Sequence, residues 1–228
     1  MRVQLLSLVM AVALSACGND VTANFQGSGG SLLLANLKAK LSRPVVTGDP
    51  NDPAIRRGIV QYRATLQADG QPLMLASNPS LKFGALFAPF GGNNGVETWS
   101  STGYQTLSLR DGVLVATRGF GPDLMSSDLP PVATIAAGQG TTQRHYSYLD
   151  GADQPQTINF SCVLANAGPE SIEVMAKGFA TRKVTETCSG PTGGFTNAYW
   201  FDGSTNLRQS NQFFAPGLDT MFMQRVID

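Results

Sequence analysis

The chain has 228 residues, 42 % of them hydrophobic and 14 % charged, with 16 basic side chains, 16 acidic ones and a single histidine. That length suits one domain with a small appendage, and the even charge balance argues against nucleic acid or an anionic membrane surface as an electrostatic partner. Abundant Gly, Ser, Thr, Asn and Gln point to turns and polar-faced strands rather than long solvated helices.

The chain opens with Met1-Arg2-Val3-Gln4, an apolar run from Leu5 to Leu14, and then Ser15-Ala16-Cys17-Gly18. A basic start, an apolar stretch and closing small residues make residues 1–16 a secretory signal. A membrane span would need about 20 apolar residues, and Asn19 and Asp20 end this run early. Leu14-Ser15-Ala16-Cys17 resembles the lipobox of bacterial lipoproteins, in which the Cys takes a lipid on sulfur and, after cleavage, an acyl chain such as palmitate on its amino group. The alternative is an ordinary signal peptide with a cysteine at the cut point. On the lipobox reading Cys17 is the lipid attachment site, and two or more chains hold a protein firmly where one holds it marginally. Gly18 stands where an aspartate would retain such a protein at the inner membrane, so the resemblance implies the periplasmic face of the outer membrane.

Residues 17–30, with Gly27-Ser28-Gly29-Gly30, read as a flexible tether. Ser31 can cap a helix through Leu41, since Leu33, Leu34, Leu37 and Leu41 fall at helical spacing. Residues 43–54, with Pro44, Gly48, Pro50 and Pro53, form a linking loop. From Ile59 the period changes to two: Val60, Tyr62, Ala64 and Leu66 predict a half-buried strand, with Asp69-Gly70 as a hairpin turn into Leu73–Ala76. The apolar stretch over 81–90 ends in Gly91-Gly92-Asn93-Asn94-Gly95. Val96–Ser101, Tyr104–Arg110 and Val113–Thr117 then alternate between short turns, the signature of an antiparallel meander. The segment 119–142 is broken by Pro122, Pro130-Pro131 and Gly138, with one helical turn expected at Asp123-Leu124-Met125. Strands resume over 157–164, 171–176, 179–188, 195–201, 206–214 and 220–226. The expectation is one mainly antiparallel β domain over 31–228, a barrel or sandwich with a short N-terminal helix.

With Cys17 lipidated, Cys162 and Cys188 remain as an even pair in an oxidising compartment, which predicts a disulfide; two separate buried thiols are the alternative. Closing a loop of about 26 residues would stabilise by roughly 3 kcal/mol. Phe160, Cys162 and Leu164 share one strand face, as do Val184, Glu186 and Cys188, so a bridge between two strands is sensible. One histidine and no C-x-x-C pattern leave no expected metal site.

The sequence contains no nucleophile elbow, zinc-binding H-E-x-x-H helix or phosphate-cradling loop. Gly138-Gln139-Gly140 lacks the third glycine of a dinucleotide site, and His145 beside Arg144 and Tyr146 reads as a surface or edge residue rather than a triad base. No catalytic residue and no cofactor is assigned. Paired carboxylates are the open enzymatic route: the candidates are Glu97, Asp111, Asp123, Asp150, Asp153 and Asp202, several of them beside turn glycines that explain them without catalysis. A binding surface has more to work with. Trp99, Tyr104, Tyr199 and Trp200 lie at strand ends or beside turns, where aromatic faces stack on sugars or partners; the competing reading is core filling. Arg110 and Arg118 flank one hairpin and could share an edge.

Several stretches resemble the YjbF/GfcB family of capsule and exopolysaccharide lipoproteins. They are Val96-Glu97-Thr98-Trp99-Ser100-Ser101; Leu107 to Leu124, with Asp111-Gly112-Val113-Leu114-Val115 at its turn; Glu186-Thr187-Cys188; Asn197-Ala198-Tyr199-Trp200-Phe201; and Gln212. Val113 and Phe120 depart from the usual Arg and Leu of the family pattern, so no role for that Arg carries over. The resemblance implies a large antiparallel meander curled into a half-barrel or sandwich, and a lipoprotein working with a β-barrel partner in polysaccharide secretion. The function expected on these grounds is a non-enzymatic accessory factor in exopolysaccharide or capsule export. It would dock to an outer-membrane β-barrel protein or to glycan. A polysaccharide-modifying enzyme and a general envelope-stability lipoprotein are the alternatives.

Overall fold

Side chains that alternate between apolar and polar build nearly the whole of the described chain into strands. The computed structural model describes residues 72–228 apart from Ser204 and Asp219, together with Pro53, Arg57, Val60, Ala68 and Gly70. The strands are β1 (Leu73–Asn78), β2 (Phe83–Asn93), β3 (Val96–Ser101), β4 (Thr106–Arg110), β5 (Val113–Arg118), β6 (Ser126–Asp128), β7 (Gln139–Leu149), β8 (Pro155–Val174), β9 (Lys177–Gly190), β10 (Gly193–Asp202), β11 (Leu207–Gln212) and β12 (Met221–Ile227), with helix α1 (Val132–Ala137) between β6 and β7. Cys17, the signal and the expected 31–41 helix lie outside the described residues.

All twelve strands belong to one antiparallel sheet in the order β5-β4-β3-β2-β1-β12-β11-β10-β9-β8-β7-β6. Pairing of β1 with β12, Met74 opposite Arg225 and Ala76 opposite Met223, joins the two halves. Followed round, that order is the chain order, so the sheet is a meander nearly closed into a barrel. Its one seam lies between β5 and β6. Thr117 N–H donates to the Leu124 carbonyl across it at 2.9 Å, and the Arg118 guanidinium donates to the carbonyls of Thr117, Leu124 and Met125. Asp123 completes the clasp, accepting from Thr117 Oγ1 at 2.8 Å and from the Gly119 and Phe120 amides. The single helical turn expected at Asp123-Leu124-Met125 is therefore absent: those residues are spent on the seam, and the helix lies later, behind Pro131. Gly138 ends α1 in the left-handed region at φ 66°, where a Cβ would sit 3.1 Å from Val184 Cγ2.

Three further expectations need correction. Val60 is helical, as are Pro53, Arg57 and Ala68, so the strand expected from Ile59 fails at the one of its inward positions that is described. Residues 83–93 form β2 in spite of Gly91 and Gly92, which the sheet accommodates at a bulge after Pro89. β8 is one strand of 20 residues rather than two, because the register shift between Asn166 and Gly168 bends it without ending it.

The interior has two regions. At the end formed by the β1–β2, β5–β6, β9–β10 and β11–β12 connections, aromatic rings pack edge to face, among them Phe83 with Phe120, Tyr146 with Phe160, and Phe120 with Phe214. Phe195 and Phe213 stack at 4.0 Å between centroids. Towards the other end, Ile135 and Ala136 of α1 pack inside against Val113, Leu164, Val184, Tyr199 and Phe201. A second layer lies outside. Beyond its bulge the β8–β9 hairpin folds back so that Ile172, Val174 and Met175 cover Leu73, Leu75, Trp200 and Val226. The half-barrel or sandwich expected from sequence is thus a nearly complete barrel with a sandwich only under this arm.

Candidate functional site

Cys162 and Cys188 face one another across β8 and β9 and form a disulfide. Directly along β9, Glu186 points into the barrel and meets Arg144 from β7; both side chains are withdrawn from solvent, at 0 % and 1 % exposure. Arg144 Nε and Nη2 donate to the two carboxylate oxygens at 2.9 and 2.7 Å. Asn197 Nδ2 and Tyr199 Oη each donate to Glu186 Oε2 at 2.9 Å, and Thr142 Oγ1 to Oε1 at 3.3 Å. Burial alone would push the Glu186 carboxyl up, but these donors outweigh it and hold the group below its usual range. Burial opposes the Arg144 charge in the same way, and Tyr199, Tyr146 and Glu186 overcome it. Asn197 Oδ1 also accepts from the Phe213 amide at 2.7 Å. Both Glu186 oxygens are fully engaged and the cluster is withdrawn from solvent, so it locks β7, β9, β10 and the segment after β11 together. The sulfurs beside it are joined to each other and offer no thiolate to a metal.

The accessible site is the barrel mouth. Successive turns of a meander alternate ends, which gathers the β2–β3, β4–β5 and β10–β11 turns and α1 around one opening. The result is a cleft of about 1260 Å³, walled by Asn93, Asn94, Asp111, Gly112 and Asn206 and with Val132 and Ala136 of α1 also lining it. Among the described residues, three arginines line it. Arg208, at a bulge on the rim, pairs with Asp202 at 2.7 Å and with Asp228. Arg225 faces Glu97 at 3.9 Å and lies over the indole of Trp99, its Cζ 4.9 Å from the ring centroid. Arg182 lies on the same face of β9 as Val184, Glu186 and Cys188; its Nη2 donates to the Ala136 carbonyl, while Nη1 is buried with no partner among the described residues. A buried donor left unsatisfied costs about 1–3 kcal/mol.

The residues expected to bind divide sharply. Trp99 and Tyr199 are interior, at 1 % and 0 % exposure, and Trp200 is covered by the β8–β9 arm at 5 %; these three are core, as the competing reading had it. Tyr104 is 82 % exposed, but on the β3–β4 turn at the end opposite the mouth. Arg110 and Arg118 share no edge: Arg110 pairs with Val113 at the turn, Arg118 with Thr106 at the far end of the same hairpin, where it holds the seam. Of the six carboxylates, Glu97 and Asp111 line the cleft, Asp123 clasps the seam, Asp202 is engaged by Arg208, and Asp150 and Asp153 sit on the β7–β8 turn, where Asp150 caps the Ala152 and Gln154 amides. His145 stands on the outer face, 2.7 Å from Asn159. Sequence reasoning passed over Arg182, although the period of two that puts Glu186 and Cys188 inward puts Arg182 inward as well.

Glu186, Cys188, Asn197, Tyr199 and Gln212, from separate stretches of the sequence, are all buried in one barrel. Residues 34–226 match the YjbF family, the group 4 capsule polysaccharide lipoproteins GfcB and YjbF. The chain belongs to this family. Membership supports a role in capsule or exopolysaccharide biosynthesis and a place in the cell envelope. Among solved structures, the chain is similar to the hypothetical lipoprotein YmcC of Escherichia coli K12, with a TM-score of 0.71 and 16 % identity over 89 % of this chain and 97 % of that one. It also matches, at a TM-score of 0.36 and 10 % identity over 69 % and 93 % of the two chains, an exported protein with a YmcC-like fold from Bacteroides fragilis. No curated protein matches the sequence.

Proposed function

We propose that this YjbF-family member is a non-enzymatic accessory factor in capsule or exopolysaccharide assembly or export, anchored through Cys17 at the periplasmic face of the outer membrane, and that it holds glycan in the mouth of its barrel. The cleft supports this reading. At about 1260 Å³ it exceeds the roughly 300–1,000 Å³ of ordinary small-molecule sites, which suits a stretch of chain. Beside apolar Val132, Ala136 and Leu207, its polar lining consists of amides, carboxylates and guanidinium groups, the donors and acceptors that sugar hydroxyls need. Deleting the protein, or replacing Cys17→Ala, should each abolish surface polysaccharide; normal polysaccharide in both strains would remove the role.

Docking to an outer-membrane barrel protein is favoured by a different surface. The outer face of β7 and β8 carries polar pairs, Ser147 with Thr157, His145 with Asn159 and Gln143 with Ser161, beside Val163 at 56 % exposure. Pull-down in detergent should recover a barrel protein, and its repeated absence would leave glycan as the sole ligand. Glu97 and Asp111 in one cleft keep the enzymatic rival specific. Purified protein that shortens the cell's own polysaccharide, and loses that activity on Glu97→Gln, would establish it. A general envelope-stability role predicts detergent sensitivity with polysaccharide unchanged.

A further inference from the structure

Among the described residues three cations line the mouth, and their partners are not equivalent. Arg208 is taken up by two aspartates, Asp202 and Asp228. Arg225 has Glu97 and the face of Trp99. Arg182 has no carboxylate partner among the described residues: its one hydrogen bond there goes to the Ala136 carbonyl of α1, and Nη1 stands buried and unmatched. We propose that Arg182 binds the carboxylate of an acidic saccharide, so that the mouth selects polysaccharide carrying uronate-type groups over neutral chains. This rests on reading the mouth as the glycan site.

The chemistry follows from the fork. A guanidinium presents its N–H groups in a plane, in the spacing of the two oxygens of a carboxylate, and such charge-assisted pairs are stronger than neutral ones. The bond to Ala136 fixes one side of the fork and leaves the other to a ligand. Buried donors without an acceptor are rare in native proteins, and a ligand carboxylate entering between α1 and β9 supplies one. Asp111, the other lining charge without a partner among the described residues, accepts only and therefore serves sugar hydroxyls. An acidic sugar carries both complements, a carboxylate for Arg182 and hydroxyls for Asp111.

The full chain in detergent should be titrated with a glucuronic acid tetramer, with the same tetramer after carboxyl reduction, and with inorganic phosphate. The acidic tetramer should bind about tenfold or more tighter than the reduced form and weaken as salt is raised. Arg182→Gln should bring the acidic tetramer down to the affinity of the reduced one, while Lys82→Gln, at the far end of the barrel, should leave both unchanged. Equal binding of acidic and reduced tetramers, or an Arg182→Gln protein that still discriminates, would overturn the assignment to Arg182 and leave the glycan reading standing. Binding of neither tetramer would overturn both. Phosphate that competes as well as the acidic tetramer would reduce the site to a general anion pocket and overturn the saccharide assignment. Should Arg182→Gln lose its melting transition, the comparison of the two tetramers decides alone.

Discussion

Glu186 shows how one residue can be legible in identity and opaque in role. Its inward position follows from period-two spacing with Cys188 and Val184, yet its partner Arg144 lies 42 residues away and reads in sequence as part of a polar Arg-His-Tyr edge. Only the β7–β8–β9 register brings them together, because Arg144 is opposite Phe160 and Glu186 opposite Leu164. The pair has a clear acid signature. A carboxyl held below its usual value contributes stability that is complete above the unfolded value, near 4.5, and is lost as pH falls through the depressed folded one. Melting temperature should therefore drop on acidification below about pH 4.5. Glu186→Gln should cost about 3–5 kcal/mol at neutral pH, since it strands the Arg144 charge, and should flatten the fall at low pH. An unchanged acid profile in that variant would assign the loss to other carboxylates. Gln212 acts at the same scale: its Oε1 accepts from the Leu114 amide at 2.8 Å and its Nε2 donates to the Gly112 carbonyl, tying β11 across the interior to β5. Nothing in its spacing announces a partner 98 residues away.

Elements are legible where alternation is clean and hidden where the interior is polar. β3, β4, β5 and β10 carry apolar side chains inward, with Trp200 turned out under the arm, and match the expected strands closely. β7 is hidden because Thr142 and Arg144 occupy inward positions where alternation calls for apolar side chains, and because Gly138 and Gly140 look like breakers. The helix was misplaced, although Pro131 before it and a left-handed Gly138 after it are ordinary boundary signals. The disulfide was legible as a pair, and the register now shows it as a direct cross-strand rung. Replacing both cysteines, Cys162→Ala with Cys188→Ala, should lower stability by about 3 kcal/mol, or roughly 10 °C in Tm for a domain of this size. The packed strands on either side should keep the fold, so circular dichroism should retain its β signature. A loss of that signature would mean that the rung is needed to form the sheet and does more than reinforce it.

For the whole molecule, closure is the property that no local pattern reveals. The meander was expected from its turns, but whether it closes depends on β1 finding β12 and on the seam at Thr117–Met125. Asp123→Ala removes three acceptor contacts from that seam and should cost about 2 kcal/mol. Its mark is spatial: amide exchange should quicken in β5 and β6 and stay slow in β9 and β10. Uniform acceleration would show that the seam and the body open as one unit.

The pairing of β1 with β12 also sets an order of events in time. Leu73 is bonded in the sheet opposite Ile227, so the first strand of the meander has its second neighbour only once the last has emerged. A contact spanning so much of the chain makes folding slow, and until β12 is in place β1 and β11 each present a bare edge of the kind that recruits foreign strands. Chains cut short before Met221 should therefore aggregate rather than persist as a smaller barrel, and a chaperone able to shield strand edges would be most needed in that interval.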